Sequence, residues 1–190
     1  TQFEQSADQL APSLEAMIRL AAEGVQVILT YPNNDAGGKP IAEALERVKS
    51  QGVSNIQMHR SLGRYTYHGI LALARNTKNR VACVGNSSSG IKETPAFGCP
   101  AVNIGSRQDG RLRGENVIDA GYNAKDIEAA TRRCLFDDAF RQKCSKANNP
   151  YYLGGAGKKI ADVLATVELN EAIIRKRMTL KGEAKEGWFQ

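Results

Sequence analysis

The chain has 190 residues, 42% of them hydrophobic and 24% charged, which fits a globular domain of ordinary size and excludes wholesale disorder. No apolar run approaches the roughly 18 residues of a membrane helix. Thr1-Gln2-Phe3-Glu4 shows neither the basic nor the apolar region of a signal peptide, so a cytoplasmic chain without membrane contact is expected. The net charge of +6 is unevenly spread: residues 1–38 hold one basic and five acidic side chains, residues 39–92 nine and two. That basic middle third fits either an anionic partner or a set of solvated helix faces. Cys83, Cys99, Cys134 and Cys144 form no CxxC pair, and only two histidines accompany them. Free thiols, with no metal site, are the expectation.

Leu10, Leu14, Met17, Ile18 and Ala21 recur at helical spacing over residues 6–23, with Ser6 as cap and Gly24 just past the end. Val25–Tyr31 is a short β-branched run that stops at Pro32-Asn33-Asn34-Asp35, the pattern of a buried strand entering a loop. Ile41, Ala42, Leu45 and Val48 mark a second helix, ending before Gly52. Ile56–Met58 reads as a brief strand and Tyr67–Ala74 as a helix. Arg80–Val84 and Ala101–Ile104 are two further strands, separated by a short helix from about Ser89 to Phe97. Glu115–Ile118 is a last strand, followed by helices over Ala124–Leu135, Asp138–Ala147 and Gly157–Arg177.

Strands and helices taking turns through short connections predict an α/β fold, Rossmann-like, with a parallel sheet and helices on both faces. Residues 1–178 make up this domain and 179–190 a solvated tail, in which Trp188 and Phe189 stand out as residues that would dock on something. Such sheets bind ligands beyond the carboxyl ends of their strands, which directs attention to the loops after Tyr31, Val84 and Ile104.

The loop after Val84 reads Gly85-Asn86-Ser87-Ser88-Ser89-Gly90-Ile91-Lys92-Glu93. Glycines permit close backbone approach, and serine hydroxyls beside a helix start make a phosphate seat or an ordinary serine-rich cap. The spacing is not that of a Walker loop. Glu93 can take two donors from a sugar diol, or simply stabilise the first helical turn. The loop after Ile104 carries Arg107, Arg111 and Arg113 among three glycines, which suits phosphate as well as an exposed basic turn. In Pro32–Lys39, Asn33 or Asp35 can meet a base, a sugar or the protein itself. His59 and His68 have no carboxylate partner nearby in sequence, so neither is expected to act as general base.

Taken together, Tyr31-Pro32-Asn33-Asn34-Asp35-Ala36-Gly37, Gly85–Glu93, Ala96–Asn103 and Gly105–Arg111 with Gly114-Glu115-Asn116-Val117 resemble the carboxyl-terminal domain of the UDP-N-acetylglucosamine 2-epimerases over about 25–165. The arginine loop resembles the hydrolysing branch, which serves sialic acid and related nonulosonate pathways. The resemblance implies the second of two Rossmann-like domains in a GT-B-like fold, with the nucleotide-sugar between them. It implies that Ser87 and Ser88 bind the diphosphate of UDP, that Glu93 holds the ribose hydroxyls, that Arg107 contacts the nucleotide, and that Asn33 lines the cleft. Chemistry in that family eliminates UDP to a glycal, to which water adds with inversion at C2, and it uses no cofactor.

The catalytic carboxylates of the family lie in an amino-terminal domain, and a histidine on the first strand of the second domain joins them. No segment here matches either, so catalytic residues are expected outside the chain and the piece alone is expected to be inactive. The partners implied are UDP or a UDP-N-acetylhexosamine, the amino-terminal domain, and further copies in a full-length homo-oligomer. Leu153-Gly154-Gly155-Ala156-Gly157 departs from relatives, which usually carry an aspartate between glycines. One rival is the UDP-sugar-binding half of a GT-B glycosyltransferase. The other, a nucleic-acid binder, lacks aromatic residues interleaved with the basic ones.

Overall fold

Apolar spacing sets where the elements run, and caps and turns set where they stop. The computed structural model describes residues 6–32, 37–152, 154–171, 184–185 and 188–189. They belong to two compact units, Thr1–Tyr152 and Leu153–Gln190.

The first unit opens with α1 (Ser6–Ala22), whose Leu14, Met17, Leu20 and Ala21 lie on one buried face. It stops at Gly24, where φ is +93°. β1 (Val27–Thr30), α2 (Gly38–Ser50) and β2 (Ile56–His59) form the first βαβ unit, with Val27 opposite Ile56 and Thr30 opposite His59 in a parallel ladder. α3 (Gly63–Ala72) continues into a tighter turn, Leu73–Arg75. β3 (Cys83–Gly85), β4 (Ala101–Ile104) and β5 (Val117–Ala120) form a second parallel ladder in that order. Between β3 and β4 lie the single-turn helix α4 (Ser89–Lys92) and a 3-10 turn, Thr94–Phe97. A further 3-10 turn, Ser106–Gln108, follows β4, and α5 (Ala124–Phe136) and α6 (Asp138–Ser145) complete the unit. Asn123 caps α5 by accepting from the N–H groups of Lys125 and Asp126, and Asp137 caps α6 through that of Phe140.

The fold is therefore α/β and Rossmann-like, with parallel strands flanked by helices. Its main core joins Ala16, Met17 and Leu20 of α1 to Val27, Val102 and Ile104 from the strands and Ile127, Cys134 and Phe140 from α5 and α6. A satellite core packs Leu14 against Ala44, Leu45 and Val48 of α2. Both ladders share the main core, yet among the described residues they are separate sheets. β4 is buried along its whole length, as a central parallel strand should be. β1 is not: Ile28 is 41% exposed and Thr30 is exposed. The N–H groups of Val27 and Tyr31 donate to Asn55 and His59 beside β2, so Ile28 and Thr30 aim their backbone groups at the opposite edge.

Boundaries differ from expectation where tertiary contacts intervene. α3 starts four residues before Tyr67, where the Gly63 N–H donates to Ser61 Oγ at 3.1 Å. β3 is shorter than Arg80–Val84, and the Arg80 guanidinium is tied to the Leu135 carbonyl instead. β5 lies two residues further on than Glu115–Ile118. In the second unit the expected helix Gly157–Arg177 is broken: α7 (Ala156–Thr166) ends at an extended Val167, with φ −71° and ψ 128°. Two β-branched residues meet there, and the Thr166 hydroxyl donates back to the Asp162 carbonyl. Residues 172–177 lie outside the described residues. β6 (Ala184–Lys185) pairs antiparallel with β7 (Trp188–Phe189) in the expected tail.

Cys99, Cys134 and Cys144 are fully buried, while Cys83 is partly exposed. Burial pushes the Cys134 thiol up to about 12 and the Cys144 thiol up to about 11, so both stay protonated at neutral pH. A thiol reagent at pH 8 is expected to label at most one cysteine of the native chain within minutes, and all four in guanidinium. Rapid labelling of three or more in the native state would contradict the packing.

Candidate functional site

Two loops at the carboxyl ends of β3 and β4 hold the candidate site residues, and one buried amide joins them. Gly85, at φ +153°, turns the chain out of β3 into Asn86-Ser87-Ser88. Ser87 is exposed and Ser88 half-buried, with Ser88 as the residue before α4. The Ser89 hydroxyl donates to Ser87 Oγ at 3.1 Å, and the Tyr67 hydroxyl of α3 donates to Ser89 Oγ at 3.2 Å. The serines are thus a braced cluster. α4 has four residues, so its dipole is that of one turn, and a donor role falls to the hydroxyls more than to a long helix.

Glu93 closes α4, half-buried, and its Oε2 lies 2.6 Å from His68 Nε2 of α3. His68, which has no carboxylate nearby in sequence, thus finds one through the fold. The two residues are 25 positions apart, and α3 packs beside the Thr94–Phe97 turn. The His68 ring also rests on Phe97, centroids 5.1 Å apart at 45°, and the Arg75 guanidinium stacks on Phe97 at 5.3 Å. Burial pushes the Tyr67 phenol and the Cys83 thiol upward, so neither supplies an anion at neutral pH.

In the loop after β4, Gln108 is buried and its Nε2 donates to the Asn86 carbonyl at 2.7 Å. Arg107 precedes Gln108 and Ser87 follows Asn86, so that bond draws the arginine and serine loops together. Arg107 and Arg111 are exposed. Arg113 is half-buried and bonded within the protein. Its Nη2 donates to the Gln108 carbonyl at 3.3 Å, and its Nε sits 3.1 Å from Asp119 Oδ1.

Behind Glu93, Asn116 is fully buried and donates to Thr94 Oγ1 at 2.9 Å and to the Cys99 carbonyl at 2.7 Å. It thereby fixes the segment that bears Glu93 and Phe97 against the start of β5. Of the residues expected in the site, Ser87, Ser88, Glu93 and Arg107 fall on these two loops, and Asn33 lies outside the described residues. Tyr67, His68, Gln108 and Asn116 carry no local spacing signal. Only a polar residue inside a conspicuous motif, as with Gln108 and Asn116, hints at a structural role. Some of the middle basic excess is also structural, since Arg75 and Arg80 bond the carbonyls of Ala96 and Leu135. The site is thus a set of hydroxyl, guanidinium and carboxylate groups suited to hold a polar, anionic ligand.

Architecture and site together define a Rossmann-like α/β domain with its polar loops gathered at strand ends. The sequence profile of the UDP-N-acetylglucosamine 2-epimerase family matches residues 2–165, and the chain belongs to that family. It is 30% identical over 173 residues to a UDP-N,N'-diacetylbacillosamine 2-epimerase (hydrolyzing) of Legionella pneumophila, covering 90% of this chain and 42% of the relative. It is 36% identical over 104 residues to a GDP/UDP-N,N'-diacetylbacillosamine 2-epimerase (hydrolyzing) of Campylobacter jejuni, covering 55% of this chain and 26% of the relative. A UDP-N-acetylglucosamine 2-epimerase of Neisseria meningitidis is 32% identical over 126 residues, 66% of this chain and 29% of that protein. The aligned segments thus span less than half the length of each of these relatives.

Proposed function

We propose that the chain is the UDP-sugar-binding, carboxyl-terminal half of a hydrolysing UDP-N-acetylglucosamine 2-epimerase. The enzyme would take UDP-N-acetylglucosamine, or a deoxy-diacetamido analogue, and water to UDP and the 2-epimeric sugar, within nonulosonate biosynthesis. The observation that carries the reading is the family match across residues 2–165, reinforced by two relatives whose own descriptions specify hydrolysis.

In this reading Ser87 and Ser88 receive the diphosphate, Glu93 accepts from the ribose hydroxyls, Arg107 neutralises phosphate, and Asn33 lines the same crevice. The carboxylates that move protons in the elimination belong to a facing amino-terminal domain of a GT-B-like pair. The complete enzyme acts as a homo-oligomer without cofactor in the cytoplasm. The half-site binds and orients the leaving nucleotide; it does not turn it over.

Calorimetric titration of UDP into the chain tests the site. Glu93→Ala and Arg107→Ala should each weaken binding by about tenfold or more, the usual worth of a hydrogen bond to a charged group. Binding indifferent to both substitutions would overturn the assignment. Sustained epimerase turnover by this chain alone would overturn the placing of the catalytic groups.

A further inference from the structure

Tyr67 and His68 are consecutive on α3, yet they reach opposite ends of one binding segment. Tyr67 braces Ser89 at 3.2 Å, and His68 meets Glu93 at 2.6 Å. The imidazole is itself pinned, because Phe97 packs tilted against it and the Arg75 guanidinium lies over the Phe97 ring. Arg75 is anchored in turn by its bond to the Ala96 carbonyl at 3.3 Å. The pair is not sealed in the core: the side chains of His68 and Glu93 are 32% and 40% exposed, within reach of a ligand.

A glutamate swings about three side-chain bonds, and a partner that fixes one carboxyl oxygen removes much of that freedom before any ligand arrives. A carboxylate only accepts, so the bonded Nε2 must carry the proton. With Oε2 taken by the imidazole, Oε1 is the oxygen left to accept from a vicinal diol. We infer that His68 is a positioning residue, one that orients the Glu93 carboxylate toward the two ribose hydroxyls and so sets the preference of the site for a ribonucleotide. The inference rests on the reading of Glu93 as the ribose carboxylate.

The test titrates the 190-residue chain calorimetrically with UDP and with 2′,3′-dideoxyuridine diphosphate. His68→Phe keeps a ring on Phe97 but has no donor; His68→Gln restores a donor without the ring. The unsubstituted chain should bind UDP at least tenfold more tightly than the dideoxy analogue. His68→Phe should weaken UDP about tenfold and leave the analogue unchanged, and His68→Gln should recover UDP binding to within about threefold. Equal losses for both ligands, or a glutamine variant as weak as the phenylalanine one, would overturn the role of His68. An undiminished preference for UDP in His68→Phe would do the same while leaving Glu93 in place. No preference in the unsubstituted chain would overturn the ribose role of Glu93 itself.

Discussion

Replacing Asn116 with alanine is expected to cost about 3 kcal/mol of stability and to lower the unfolding midpoint by about 6–12 °C. Asn116 and Thr94 are both 0% exposed, and the amide donates to two acceptors, Thr94 Oγ1 and the Cys99 carbonyl. Alanine removes both bonds, leaves the buried Cys99 carbonyl short of a donor, and opens a cavity where packing cannot fully close. The Thr94 hydroxyl still donates to the Gly90 carbonyl at 2.6 Å, so the local turn persists while its attachment to β5 is lost. Thermal denaturation of Asn116→Ala, Thr94→Val and the double variant checks this. The two losses should add to more than the double variant shows, because both delete the same bond. A midpoint within 2 °C of the parent for Asn116→Ala would refute the role.

Gly98→Ala is expected to be of similar severity for a different reason. Gly98 closes the Thr94–Phe97 turn at φ +63°, a conformation that costs a side-chain-bearing residue about 1–2 kcal/mol. A Cβ there would also stand 2.9 Å from Ser145 Cα, at the end of α6. Backbone cannot rotate aside as a side chain can, so relief requires α6 to shift, adding roughly 1–3 kcal/mol. Gly69→Ala is the matched control. It lies within α3, an added Cβ meets nothing within 4 Å, and the change should be neutral or gain up to about 1 kcal/mol. Chemical denaturation of both variants separates the two cases, and equal midpoints would contradict the close approach.

What could be read along the chain was whatever depended on neighbours in sequence. β4 falls at Ala101–Ile104 as expected because four consecutive residues are buried on both faces. The serine and arginine loops are legible because small and basic residues directly after strands have few packing explanations. Two kinds of feature were not. Helix ends set by local competition escaped periodicity, as at Thr166–Val167, where apolar spacing continues but the backbone does not. Contacts across long separations escaped as well: His68 with Glu93 and Asn116 with Thr94 lie 25 and 22 positions apart. The three arginines of one loop look alike in sequence. Only the fold turns Arg113 toward Asp119, while Arg107 and Arg111 are more exposed.

The outward edge of β1 has a consequence of its own. Neighbouring amides on that strand live under different conditions: those of Val27 and Tyr31 are held by the ladder, while those of Ile28 and Thr30 look away from it. Nature usually blunts such an edge with lysine, proline or a bulge. The sequence Val27-Ile28-Leu29-Thr30 has no charge and no proline, and it is rich in β-branched residues. Its hold on β2 therefore rests on backbone hydrogen bonds and apolar contact, with no side-chain charge on the strand for salt to screen.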